Sequence, residues 1–143
     1  MMKDMAEGPE VALVSGCTEG GIGHGLALEL ARRGFRVVAT TRSASSAHAH
    51  AHALHHLPLY EHMFLDVCSP QSISDAVLAI VNKYGRIDLL INNAGVPCNA
   101  PAAETPLPLL ESTFRTNVYG KLPSLHIYLG FSRLAWSYLM RQE

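Results

Sequence analysis

Glycines are dense between Gly16 and Gly25, directly after the apolar run 11–14, and this is a place where a backbone can bind phosphate. A turn without side chains lets a pyrophosphate approach the backbone, and a following helix offers free N–H groups and the positive end of its dipole. The alternative is a structural turn between a strand and a helix that binds no ligand. The cofactor-contacting residues predicted from this turn are Gly16, Thr18, Gly21, Ile22 and Gly23.

The run Thr40-Thr41-Arg42-Ser43 contains a cation and no acid at the end of the second predicted strand. A carboxylate at this point of a dinucleotide-binding fold would bond to the ribose hydroxyls and would repel a 2′-phosphate. Arginine can instead pair a phosphate through two parallel hydrogen bonds, and neighbouring hydroxyls can add donors. Arg42 therefore predicts NADP(H) rather than NAD(H) as cofactor, the alternative being an ordinary exposed arginine.

Short amides follow the fourth predicted strand, in the run Asn92-Asn93-Ala94-Gly95. Such amides can tie neighbouring strands together, and the small residues after them leave room for a ribose. Asp66-Val67 closes the third predicted strand, where an aspartate can also serve as a turn or cap residue before Ser69-Pro70.

Apolar periodicity predicts the elements that position these residues. Strands are expected over residues 11–14, 36–41, 59–65 and 87–91. Helices are expected over residues 26–33 and 70–84, and from about residue 108 through Asn117. This alternation predicts an α/β fold with a doubly wound parallel sheet and right-handed crossovers.

Composition narrows the functional class. Hydrophobic residues make up 48% of the chain and the formal net charge is −1, so a disordered chain or a nucleic-acid partner is not expected. Three scattered cysteines indicate reduced thiols in a cytoplasmic setting. The first ten residues lack the features of a targeting signal, and no apolar run is long enough to span a bilayer.

The run Ser15-Gly16-Cys17-Thr18-Glu19-Gly20-Gly21-Ile22-Gly23 resembles the Thr-Gly-x-x-x-Gly-x-Gly pattern of the short-chain dehydrogenase/reductase family. Serine replaces the usual threonine, and one extra residue lengthens the turn. That longer turn is similar to the branch of NADPH-dependent 1-acyldihydroxyacetone-phosphate reductases. Together with Asn92-Asn93-Ala94-Gly95, the resemblance covers roughly residues 10–120 and implies a Rossmann-type fold, incomplete here at about four of the family's seven strands.

The resemblance also implies a reaction and the residues that serve it. The reaction is hydride transfer between NADP(H) and a carbonyl, on a small-molecule or lipid-like substrate. The resemblance assigns the adenine end to Asp66 and Val67, the nicotinamide ribose end to Asn93, Ala94 and Gly95, and a proton relay to Asn117. The family's serine and Tyr-x-x-x-Lys pair have no counterpart in these residues, so catalysis by this chain is uncertain. The alternative is a non-catalytic cofactor-binding or interaction fragment.

The family pattern predicts a cofactor-binding domain over residues 1–120 and a divergent tail over 121–143, since Pro123 would break a helix continuing from Asn117. The tail is interpreted as an aberrant or truncated end, with a sheet-covering helix or a weak membrane-surface segment as alternatives. Lipid-linked relatives make the endoplasmic reticulum or lipid-droplet surface the alternative location, and a homo-oligomer is possible. An uncovered strand 87–91 would leave an apolar sheet edge and marginal stability.

Six histidines lie between His48 and His62. Some are one helical turn apart, a spacing that can hold a transition metal. We interpret the run as a low-complexity insert, and no metal site is predicted.

Overall fold

The computed structural model describes residues 8–43, 57–101 and 103–121. Its strands are β1 (Val11–Ser15), β2 (Arg36–Thr41), β3 (Tyr60–Phe64) and β4 (Leu89–Ile91). Its helices are α1 (Ile22–Arg32), α2 (Pro70–Tyr84) and α3 (Leu107–Phe114), and α3 continues into a π-helical turn, Arg115–Tyr119.

The four strands form one parallel sheet in the spatial order β3-β2-β1-β4. The chain moves outward from β1 through β2 to β3, and then returns to place β4 on the other side of β1. The predicted α/β fold with a parallel sheet is therefore confirmed. In such sheets, ligands bind beyond the carboxyl ends of the strands where the order reverses, which here lies between β1 and β4.

Apolar side chains cover both faces of the sheet. On one face, Leu13 and Val38 belong to a buried cluster with Ile73, Val77 and Ile80 of α2. On the other face, residues of β1 and β2 pack in a second cluster that includes Ala27 and Ala31 of α1. All five residues of β1 are buried, as expected of a strand covered on both faces.

Helix α2 begins and ends where the sequence predicts. The Ser69 side chain accepts a hydrogen bond from the Ser72 N–H, and Pro70 occupies the first turn. Gly85 ends the helix with a left-handed φ of 76°.

Helix α1 begins at Ile22, so the prediction of a start at residue 26 was wrong by one helical turn. Glycine disfavours a helix by about 1 kcal/mol relative to alanine, which is why the sequence argued for a later start. A Cβ at Gly23 would lie 2.4 Å from Asn93 Nδ2 and 2.7 Å from the Gly16 carbonyl oxygen. The first turn of α1 therefore packs too closely on the strand ends to accept a side chain there.

Asp88 joins the start of β4 to the start of β1. Its Oδ2 accepts the Val11 N–H at 2.8 Å, and Arg86 donates two hydrogen bonds of 2.6 Å to the same carboxylate. The hydrogen bonds to Asp88 raise the pKa of Arg86. No strand covers the outer side of β4 within the described residues, and Leu89–Ile91 is only partly buried.

Five of the six histidines of the run, within 48–56, and the tail from 122 onward lie outside the described residues, whereas His62 lies on β3. Within the part that is described, no helix is long and apolar enough to cross a membrane, and no cluster of ligands suits a metal ion. All three cysteines are free thiols, as predicted.

Candidate functional site

An open cavity of about 500 Å³ lies at the carboxyl ends of the four strands. This volume is within the range of small-molecule and cofactor sites. Seven of the residues predicted from the sequence line it, namely Gly16, Thr18, Arg42, Val67, Asn93, Ala94 and Gly95. Thr41 and Ser43, whose hydroxyls the sequence offers as further phosphate donors, also line it. The lining residues without a predicted cofactor contact are Leu65, Val96 and Thr116.

The glycine turn brings the two predicted glycine-containing motifs into contact. Gly16 has a left-handed φ of 75°, and a Cβ there would lie 2.6 Å from the Ala94 Cα. Only glycine fits that conformation and that distance. The turn closes through the Gly21 N–H, which donates to the Thr18 carbonyl at 2.9 Å.

The N-terminus of α1 presents unpaired amides beside this turn. Gly21 is the N-cap and supplies no side-chain acceptor. The N–H groups of Ile22 and Gly23 have no hydrogen-bond partner in the described part of the chain. Neither Ile22 nor Gly23 lines the cavity, and Ile22 is 79% exposed. An anion placed here would meet backbone donors and the positive end of the helix dipole.

Ser15 connects the end of β1 to the amide motif after β4. Its buried hydroxyl accepts the N–H groups of Asn93 and Ala94, each at 3.1 Å, and donates to the Ile91 carbonyl at 3.3 Å. From the sequence alone, Ser15 stands out only because it replaces the usual threonine. A hydroxyl residue at the last position of a buried strand was the available signal.

The Asn93 side chain confirms the expectation that short amides tie the strand ends together. Its Nδ2 donates to the Ser15 and Gly16 carbonyls, both at 3.0 Å. Asn93 therefore fixes the glycine turn against β4, and Ala94 and Gly95 form the adjoining wall of the cavity.

Arg42 follows β2 at the rim of the cavity. Its side chain is exposed and has no ion-pair partner among the residues that the structure describes. The Thr41 hydroxyl already donates to the Ser43 carbonyl at 3.1 Å. Arg42 is therefore the available cation at this rim, and it suits a phosphate rather than a ribose hydroxyl.

The Asp66 carboxylate shapes a turn and does not line the cavity. Its Oδ1 accepts the Cys68 N–H at 2.9 Å, and its own N–H donates to the Ser72 hydroxyl. This is the turn aspartate that the sequence allowed as an alternative. Its neighbours Leu65 and Val67 do line the cavity, while an adenine contact by Asp66 itself stays a prediction.

Asn117 lies in the π-helical turn rather than in a regular α-helix. Its Oδ1 accepts the Val96 N–H at 2.8 Å, and its Nδ2 donates to the Val96 carbonyl at 2.9 Å. The side chain therefore holds the loop after β4, which is the backbone-bonding interpretation. Its neighbour Thr116 lines the cavity, and the proton-relay role of Asn117 stays a prediction.

Cys17 sits inside the glycine turn but is not a nucleophile. The thiol is fully buried and lies 3.3 Å from the Val14 carbonyl as a donor. Burial raises the pKa of Cys17 to about 11, so the thiol is neutral at physiological pH.

The family model described as short chain dehydrogenase matches residues 10–128. The chain is 35% identical over 124 residues to a short-chain dehydrogenase, virD, from Hypocrea virens. It is also 35% identical over 116 residues to an NADPH-dependent 1-acyldihydroxyacetone phosphate reductase from Schizosaccharomyces pombe. These matches cover 85% and 80% of this chain but only 41% and 37% of the two relatives. The matched family range ends past Gly120, and a domain boundary there stays a prediction.

Among solved structures, the chain is similar to an F189W actinorhodin polyketide ketoreductase with NADPH. The TM-score is 0.78 at 33% identity, covering 85% of this chain and 46% of that one. A short chain dehydrogenase from Mycobacterium smegmatis has a TM-score of 0.80 at 23% identity, which supports the fold alone. The four-stranded sheet thus corresponds to about half of these structures.

Proposed function

This chain belongs to the short-chain dehydrogenase family of oxidoreductases, and from that premise we propose that it binds NADP(H) for hydride transfer with a carbonyl substrate. The observation that carries the cofactor choice is Arg42, an exposed cation on the cavity rim at the end of β2, which has no ion-pair partner among the described residues. The bound nicotinamide would supply the hydride or accept it. The substrate is proposed to be a small or lipid-like carbonyl compound.

The choice of NADP(H) over NAD(H) follows from charge at the rim. A 2′-phosphate needs donors and a positive charge, and the Arg42 guanidinium at the cavity rim offers both. No carboxylate occurs in the run Thr40-Thr41-Arg42-Ser43 to bond to ribose hydroxyls. Two of the similar proteins are described with NADPH, which supports the same choice.

The backbone fits the rest of a dinucleotide. The free Ile22 and Gly23 amides suit a pyrophosphate, and the tight packing at Gly16 holds the turn that presents them. Leu65 and Val67 supply apolar surface on the same side of the cavity as Arg42. Asn93, Ala94 and Gly95 would lie beside the nicotinamide ribose, at the β4 end.

A second candidate function is cofactor binding without turnover. The family's acid–base pair is a tyrosine followed four positions later by a lysine. None of the five tyrosines in these 143 residues has a lysine at that spacing. Oxidation of NADPH by the purified chain with a panel of carbonyl compounds separates the two candidates. Robust turnover would reject the second.

The Arg42→Asp variant tests the proposed cofactor. A charged hydrogen bond contributes about 1.5–3 kcal/mol, so we expect NADPH to bind roughly 10- to 100-fold more weakly. The affinity for NADH should stay within about twofold or improve, since an aspartate can bond to both ribose hydroxyls. Both dissociation constants are measurable through nicotinamide fluorescence.

The control is Arg32→Asp, which makes the same charge change on the exposed last turn of α1. It should leave the ratio of the two dissociation constants unchanged. An Arg42→Asp protein that still prefers NADPH as strongly as the wild type would contradict the proposed cofactor.

A further inference from the structure

The glycine turn contains a hydrogen bond to a side chain that the proposed cofactor contacts do not use. The Gly20 N–H donates to Nδ1 of His24 at 3.2 Å. Gly20 is the second left-handed glycine of the turn, with φ of 75°, and open space surrounds the position where a Cβ would lie. A side chain at this position would therefore meet no neighbouring atom, and the hydrogen bond to His24 is the described contact of the Gly20 N–H.

His24 is the third residue of α1, one turn after the tip of the glycine turn. In a capping box, a side chain at this third position reaches back to a backbone N–H before the helix, while the N-cap side chain reaches forward. Gly21, the N-cap here, has no side chain to reach forward. The bond from Gly20 to His24 is similar to the backward half of a capping box, but its donor is the residue before the N-cap, so it ties the glycine turn to α1.

We propose that His24 is a positioning residue, which fixes the glycine turn through the Gly20 amide so that the free Ile22 and Gly23 amides are aligned for the cofactor pyrophosphate. The cofactor part of this inference rests on the proposed function. Nδ1 can accept the bond only when its proton is absent, so the ring must carry its hydrogen on Nε2.

The hydrogen bond between Gly20 and His24 orients the part of the glycine turn that leads directly into the Ile22 and Gly23 amides. The Gly21 N–H closes the turn onto Thr18, and the Gly25 N–H bonds to the Gly21 carbonyl as α1 begins. The Gly20 N–H, just before the first of these contacts, has no backbone acceptor among the described residues and donates to His24 instead. Without the His24 acceptor, that peptide can rotate, and the cofactor must then order the turn as it binds.

The test uses His24→Asn and His24→Leu in the full chain. Asparagine places Oδ1 at the same distance from the backbone as histidine places Nδ1, so it can accept the Gly20 N–H. Leucine has similar bulk and no acceptor. One net hydrogen bond contributes about 1 kcal/mol, so we expect the leucine variant to bind NADPH about fivefold more weakly, and the asparagine variant to bind like the wild type.

A second measurement, made without cofactor, keeps the inference separable from the proposed function. Hydrogen exchange of the Gly20 amide, followed by NMR, should be slow in the wild type and in His24→Asn, and faster in His24→Leu. The amides of β1 serve as an internal reference for the intact fold.

Two results would overturn the inference: Gly20 exchange that is unchanged in His24→Leu, or a His24→Asn variant as weak for NADPH as His24→Leu. A wild-type chain that binds no NADPH would overturn the proposed function and the cofactor part of the inference with it. In that case the exchange measurement still decides whether His24 holds the turn.

Discussion

Ser15 shows how one small side chain holds together a site assembled from distant parts of the chain. Its hydroxyl takes part in three hydrogen bonds, one with the last residue of β4 and two with residues just after it, all more than 70 positions away, and Ser15 is 3% exposed. The family pattern has a threonine at this position, which carries the same hydroxyl. Serine can therefore make the same hydrogen bonds as the residue that it replaces. The tie holds Asn93 and Ala94 at the cavity wall.

We expect Ser15→Ala to destabilise the fold by about 1–3 kcal/mol, because the N–H groups of Asn93 and Ala94 lose a buried acceptor. NADPH affinity should fall as well, since the glycine turn is held to the same segment. Urea unfolding measures the first effect and cofactor titration the second. Ser112→Ala is the control, because that exposed hydroxyl bonds only to the Leu109 carbonyl of its own helix. Equal stability of the two variants would contradict the role of Ser15.

Single residues also mark the limit of what the sequence can predict. Residue type and position correctly placed Asn93, Arg42 and the glycine turn at one cavity. They could not decide whether a short polar side chain faces the cavity or the backbone. Asp66 and Asn117 both turn to the backbone, because a neighbouring N–H lies within reach once the turn has formed.

At the level of elements, α1 is where propensity and packing disagree most. Glycine at positions 23 and 25 argued for a helix that begins later, and the structure begins it at Ile22. The two glycines differ in their surroundings: a Cβ at Gly23 would overlap Asn93, whereas nothing lies within 4 Å of one at Gly25. Helix propensity read from the sequence treats these two positions alike, because they differ only once α1 packs against the end of β4.

These two glycines supply a matched pair of variants. Gly23→Ala should destabilise the chain by several kcal/mol, on the order of 2–4, because the methyl group meets backbone and a fixed amide. Gly25→Ala should stabilise it by about 0.5–1 kcal/mol, since alanine favours the helix. Thermal or urea unfolding measures both. If the two substitutions shift stability in the same direction, α1 does not pack on Asn93 as described.

At the scale of the whole molecule, the Asp88 carboxylate links the starts of the neighbouring strands β1 and β4. Asp88 and Arg86 are 13% and 12% exposed, and Asp88 also accepts the first amide of β1. The ion pair and the strand pairing therefore depend on each other. Such a pair resists screening better than an exposed one.

Asp88→Ala should accordingly lower the free energy of unfolding by about 2–4 kcal/mol, because Val11 and Arg86 lose their shared acceptor. Glu29→Ala removes a 2.8 Å ion pair to Arg33 and a longer one to Arg32, but all three side chains are more than half exposed. That control should cost less than about 1 kcal/mol. A smaller loss for Asp88 than for Glu29 in urea unfolding would show that β4 is held by packing alone.

The position of β1 at the centre of the sheet has a consequence for the order of events during synthesis. Leu13 pairs with Val38, 25 residues later, and with Leu90, 77 residues later. Closing the longer loop costs about 1 kcal/mol more chain entropy than closing the shorter one. During synthesis, β1 can therefore pair with β2 before β4 has left the ribosome. Until the segment with Asp88 has emerged, the edge of β1 that will pair with β4 stays open to non-native pairing.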